Sequence, residues 1–161
     1  MVQLIRRAVI ADLDALTRLR VDFMQDAHGD APLPIDFTET TRRFFADRLA
    51  EPGSLVFWVA ERDGQVVAQA MISLFQRLPN LSNPSGLGAY VSNFYIDAAF
   101  RRQGIGTALL AALVADARDR GVGRLWLYAS QAGEGLYAGA GFERVVHAVP
   151  EMALNLADVQ P

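Results

Sequence analysis

Apolar residues recur along this chain with two periods, and the switches between them divide it into elements. Residues 2–10 read as a strand. From Asp12 onward Leu13, Leu16, Leu19 and Phe23 return every three or four positions, which predicts one face of a helix. The stretch 26–36 has the Asp, Gly and Pro content of a loop. Asp36 followed by Glu39 marks a helix start, and Phe37, Phe44, Phe45, Arg48 and Leu49 carry a second amphipathic helix toward Pro52-Gly53. Leu55–Glu61 and Gln65–Phe75 are apolar, β-rich runs joined by Arg62-Asp63-Gly64, the pattern of a hairpin.

A loop over 78–86 then leads to a strand, Ala89–Asp97. Beyond it Ile105, Leu109, Leu113 and Ala117 fall on one helical face, and Gly121 and Gly123 stop that helix. Arg124–Ala129 reads as a short strand, Gly133–Gly139 as a short helix, and Phe142–Ala148 and Met152–Leu156 as two last strands. The order β-α-α-β-β-β-α-β-α-β-β describes an α/β (α+β) mixed sheet with helices on both faces. With 161 residues, 52% of them hydrophobic, one domain over 1–161 is expected.

Composition narrows the chemistry. The formal net charge is -3 and the pI about 5.3, so there is no global electrostatic footprint for nucleic acid. Without Cys there is no disulfide, no thiolate metal site and no cysteine nucleophile. All 15 basic residues are Arg, which excludes a Schiff-base lysine. His28 and His147 are not spaced as a metal pair, and no metal is assigned. The N-terminal residues lack the apolar run of a secretory signal and no stretch offers the ~20 apolar residues of a membrane span, so a cytoplasmic protein without membrane association is expected. Trp58 and Trp126 lie in apolar strands, where core packing is their expected role.

The segment Arg101-Arg102-Gln103-Gly104-Ile105-Gly106 stands between a strand and a helix. Two glycines alone could serve only a sharp turn. Their position adds unpartnered N–H groups and the positive end of a helix dipole, which suit a phosphate; Thr107 supplies a hydroxyl and Arg101 and Arg102 supply charge. The Rossmann fingerprint and the P-loop both fail, because no third glycine follows at the required spacing and the chain has no Lys.

Asn93-Phe94-Tyr95-Ile96-Asp97, then Arg101-x-x-Gly104-x-Gly106, then Ser130 and Leu136-Tyr137-Ala138-Gly139-Ala140-Gly141-Phe142 resemble, in order, the GNAT N-acetyltransferase superfamily. The resemblance implies a sheet whose central strands splay apart and acetyl-CoA as cosubstrate. It implies that Arg101, Arg102, Gln103, Gly104, Ile105, Gly106 and Thr107 hold the CoA diphosphate. The backbone of Phe94, Tyr95 and Ile96 would border the pantetheine arm, with Phe94 and Ile96 pairing to it. Ser130, where many members have Asn, would hydrogen-bond that arm, and Tyr137 would stand beside the sulfur as general acid. The acceptor implied is a primary amine of a small molecule or peptide, attacked directly in a ternary complex; a non-catalytic acyl-CoA-binding regulatory module is the alternative. Homodimers are common in the family.

An alkylamine with a pKa near ~10 must lose a proton before it attacks. The strand 90–95 has no carboxylate where some members carry Glu, so Asn93, Ser92 or Tyr95 could orient a water, and Glu61, Asp97, Glu134 and Glu151 are the candidate bases. The acidic stretch Asp26, His28, Asp30 and Asp36 could attract a cationic amine.

Overall fold

The computed structural model describes residues 3–146 together with 152 and 153. Its elements are β1 (Gln3–Arg7), α1 (Leu13–His28), α2 (Phe37–Ala50), β2 (Leu55–Arg62), β3 (Gln65–Gln76), β4 (Leu87–Ile96), α3 (Ile105–Asp119), β5 (Arg124–Trp126) and α4 (Glu134–Gly139), with 3-10 turns at Ile10–Asp12 and Ala98–Phe100. The strands lie in one sheet in chain order; β1 through β4 are antiparallel, and β5 runs parallel to β4. That parallel step requires a crossover, which α3 supplies.

Each face of the sheet buries its own cluster. On one side α3 sets Ile105, Leu109 and Leu113 against Val67, Ile72, Ala89 and Val91. On the other, α1 and α2 set Leu16, Leu19 and Phe45 against Phe57, Val59 and Tyr95. Each fully buried Leu or Ile contributes about 1.5–3 kcal/mol, so these two clusters decide which helix covers which face.

Three expectations are corrected. The first helix continues through Asp26 to His28 and yields only at Gly29, so the loop predicted over 26–36 begins three residues late. The strand predicted over Arg124–Ala129 ends at Trp126, because β4 and β5 pair only over Gly88–Tyr90 and Arg124–Trp126 before they part. Phe142–Val146 carries no strand pairing among the described residues, and the remainder of the two last strands falls mostly outside them.

The feature of most consequence for the site lies in β4. Gln69 pairs with Tyr95 and Met71 with Ser92, so two steps on β3 match three on β4. The extra residue makes a β-bulge, and Asn93 within it adopts a left-handed backbone with φ 51°.

Candidate active site

Where β5 leaves β4, the edge of β4 beyond Tyr90 has no strand beside it among the described residues. The N–H of Asp97 is spent on β3, donating to the Val67 carbonyl at 2.9 Å. Strand alternation then turns Ile96 and Phe94 toward the open edge. Part of that edge is already used: the Arg101 Nε donates to the Ile96 carbonyl at 3.0 Å.

The strand-to-helix turn has the geometry of an anion cradle. The first backbone bond inside α3 runs from the Ala108 N–H to the Gly104 carbonyl, so the N–H groups of Ile105, Gly106 and Thr107 precede the intrahelical ladder. Arg102 and Gly104 both have left-handed backbones, at φ 57° and 81°, which folds successive N–H groups into a concave nest. The two glycines serve different ends. Gly104 faces open space and is needed for its φ, whereas a Cβ on Gly106 would lie 3.0 Å from Ile96 Cδ1 and 3.3 Å from Leu136 Cδ2. Gly106 thus lets α3 approach β4 and α4 closely, beyond any service to a ligand. Gly106→Ala is expected to lower stability, since overpacking costs roughly 1–3 kcal/mol and helix propensity returns at most about 1 kcal/mol; chemical denaturation measures the net loss.

The arginines of the turn divide. Arg101 is committed to α1: it pairs with Asp26 at 2.5 Å and lies 5.3 Å from the Tyr95 ring centroid. The Tyr95 hydroxyl donates to the same carboxylate at 2.9 Å. The Asp26 carboxyl is held below its usual range by those two hydrogen bonds, and the Tyr95 phenol is pushed up to about 12 by burial and then by Asp26. Gln103 donates to the Ala99 carbonyl at 3.2 Å and accepts from Arg62. Arg102 remains exposed, with no carboxylate partner among the described residues.

Tyr137, on α4, is half-buried, edge-on to Phe94 at 5.8 Å and to Phe142 at 5.9 Å. Its hydroxyl makes no hydrogen bond among the described residues. Burial raises its pKa, and the neighbouring Tyr90 phenol raises it further, so the proton is retained well through the neutral range. Ser130 is bonded locally: its hydroxyl accepts from the Gly133 N–H at 3.2 Å and its carbonyl from the Gly133 and Glu134 N–H groups at 3.0 Å, so it closes the turn that leads into α4. The O–H can still donate outward.

Each candidate base among the described residues is paired with an arginine. Glu61 holds Arg6 at 2.9 Å. Asp97 caps the turn at Ala99 and pairs with Arg18 at 3.1 Å. Glu134 pairs with Arg144, and Glu151 and His147 fall outside the described residues. Asn93 accepts from Arg20 at 3.3 Å. Of the acidic stretch, Asp26 is committed to Arg101 and Tyr95, while His28, Asp30 and Asp36 are exposed. Trp58 packs against the α3-side core as expected, whereas Trp126 is half-buried between Phe75, at 4.5 Å, and the Arg77 guanidinium, at 4.9 Å. Among the described residues no three His, Asp or Glu side chains converge as a metal site, and no helix is long and apolar enough to cross a membrane. A cleft of about 1350 Å³ beside β5 is lined in part by Tyr137 and does not include the phosphate-type turn.

A family model for the acetyltransferase (GNAT) family matches residues 13–142, a span that includes the cradle, the bulge and Tyr137. The chain belongs to the GNAT acetyltransferase family. A curated relative, aminoglycoside N(6')-acetyltransferase type 1 of Stenotrophomonas maltophilia, is 32% identical over 117 residues, covering 73% of this chain and 69% of that protein. Among solved structures, a predicted acetyltransferase from Clostridium acetobutylicum, determined with acetyl-CoA, superposes with a TM-score of 0.80 at 29% identity over 98% of both chains. A GCN5-related N-acetyltransferase from Ralstonia eutropha JMP134 gives the same score and identity over 97% of this chain and 99% of its own. This GNAT protein is therefore an acetyl-CoA-dependent acetyltransferase, on the mixed α/β fold that its sequence predicts. Two site features carried no sequence signal: the tie from Asp26 to Tyr95 and Arg101, and the approach of Arg20 to Asn93.

Proposed function

We propose that this enzyme moves the acetyl group of acetyl-CoA to a primary amine of a small molecule by direct attack in a ternary complex. Acetyl-CoA, when bound, supplies an activated acyl group. The donor set of the turn fits its diphosphate: N–H groups of Ile105, Gly106 and Thr107, the Thr107 hydroxyl and the exposed Arg102. Phe94 and Ile96 offer open backbone to the arm, and the Ser130 hydroxyl can donate to it.

The observation that carries the reading is the Tyr137 phenol, half-buried against Phe94 with no partner for its hydroxyl among the described residues and a pKa shifted upward. As the C–N bond forms and the C–S bond breaks, that phenol gives its proton to the departing sulfur, and the nitrogen loses one to water. Among the described residues no carboxylate near β4 stands unpaired to take that proton, so Asn93 and Ser92 would orient the water that does. The curated relative's aminoglycoside substrate supports a small-molecule acceptor.

Release of free thiol from acetyl-CoA across a panel of small amines tests this. Acceptor-dependent release is expected. CoA binding by calorimetry with no release from any amine would sink the catalytic reading and leave a binding module.

A further inference from the structure

Five arginines are half-buried: Arg6, Arg20, Arg42, Arg62 and Arg120. Arg6 has carboxylate partners in Asp12 and Glu61, Arg42 in Asp14 and Arg120 in Asp116, and Arg62 donates to Gln103. Arg20 has no carboxylate partner among the described residues. Its guanidinium lies 5.4 Å from the Phe23 ring centroid and donates once, from Nη1 to the neutral Asn93 Oδ1 at 3.3 Å. Burial pushes its pKa down without an opposing charge to restore it. A guanidinium has five N–H donors, and a cation drawn partly out of water without a counter-ion is costly.

The place of this cation gives that cost a purpose. Arg20 projects from α1 onto the β4 bulge, at the residue adjacent to Phe94, which touches Tyr137. The bulge leaves Tyr90 and Ser92 on the α1 side of the sheet, and Tyr90 is the charge neighbour of Tyr137. With Nη1 turned to Asn93, the Nε and Nη2 edge remains, the fork that matches a carboxylate bidentately.

We propose that Arg20 is the acceptor anchor and that the acceptor is an amino carboxylate, its carboxylate seated on the Nε and Nη2 edge and its amine turned toward Tyr137. The inference rests on the acetyl-transfer reading of the cleft between β4 and β5. It also addresses the missing base, since a fixed cation beside the amine disfavours the ammonium form. A polycationic acceptor would meet repulsion at the same point.

The test is binding to the CoA complex, read by calorimetry, for the twenty L-amino acids and for their primary amides. At least one amino acid is expected to bind the wild type, with its amide weaker by roughly 10- to 100-fold, the range for losing a charge-assisted pair. Arg20→Gln should weaken the acid by a similar factor and leave the amide unchanged, and Arg20→Lys should restore part of the difference. Equal binding of acid and amide, an equal loss of both in Arg20→Gln, or no binding of any amino acid overturns the anchor. Thiol release is scored separately. Binding that depends on Arg20 without turnover would overturn acetyl transfer and keep the anchor.

Discussion

Tyr137→Phe is expected to lower kcat by roughly 10²- to 10⁴-fold, the range supplied by a positioned general acid, while the affinity for acetyl-CoA changes little. The substitution removes one oxygen and keeps the ring. The edge contacts to Phe94 and Phe142 survive, and among the described residues the hydroxyl makes no hydrogen bond whose loss could unsettle α4. Stability should therefore hold, and a loss confined to kcat separates proton donation from packing. The pH profile carries the same information. Burial and Tyr90 raise the phenol's pKa, so the acid form persists across neutral pH and wild-type turnover should not decline on account of Tyr137 until strongly alkaline conditions. A Phe variant with unchanged kcat would remove Tyr137 from the mechanism.

The largest effect on stability is expected from Asp12→Ala, far from the cleft. Asp12 is 5% exposed, and its carboxylate takes both arms of Arg6 at 2.7 and 2.8 Å and the Val9 N–H at 2.8 Å. Arg6 in turn donates to Glu61 from Nε at 3.1 Å and Nη2 at 2.9 Å, so one guanidinium joins β1, the turn before α1 and β2. Removing the carboxylate strands the Val9 N–H and half of Arg6. The cost should be roughly 3 kcal/mol, the low end for a broken buried pair, because Arg6 keeps Glu61. Chemical denaturation at neutral pH measures it. Acid provides an independent check. Burial works to raise the Asp12 pKa, but the hydrogen bonds from Arg6 and Val9 outweigh it and leave the folded value below the usual 3.8. A carboxyl depressed in this way stabilises the fold fully above its unfolded pKa and loses that contribution as pH falls through the folded value. The wild type should therefore lose stability below about pH 4 more steeply than Asp12→Ala.

What the sequence revealed follows from how local each determinant is. The start of α3 was legible, since glycine at 104 and 106 reports backbone shape and close approach, and the apolar period from Ile105 to Ala117 reports one buried face. The end of α1 was not. Asp-Ala-His-Gly-Asp has the composition of a loop, yet the helix persists through Asp26, whose carboxylate is gripped by Tyr95 and Arg101, 69 and 75 residues away. The partners of two candidate bases were hidden for the same reason. Nothing near Glu61 or Asp97 in sequence announces that Arg6 and Arg18 will meet them across the fold. Arg20 was illegible in the opposite sense: one more polar residue on an amphipathic helix, distinguished only by the partner it lacks.

The bulge in β4 sets a rule for what evolution can change here. Its extra residue reverses the in-and-out phase of the strand at Asn93, so that Tyr95 shares the α1 side with Tyr90 and Ser92 while Phe94 and Ile96 pack toward α3. A chain one residue shorter at that point would drive the Tyr95 hydroxyl under the apolar face of Ile105 and Leu109, release Asp26 from it, and turn Phe94 away from Tyr137. Strand length, more than the identity of any side chain on it, keeps the two halves of the enzyme in step. Substitutions along β4 leave that phase intact; a deletion there would part Tyr95 from Asp26 and Phe94 from Tyr137 at once.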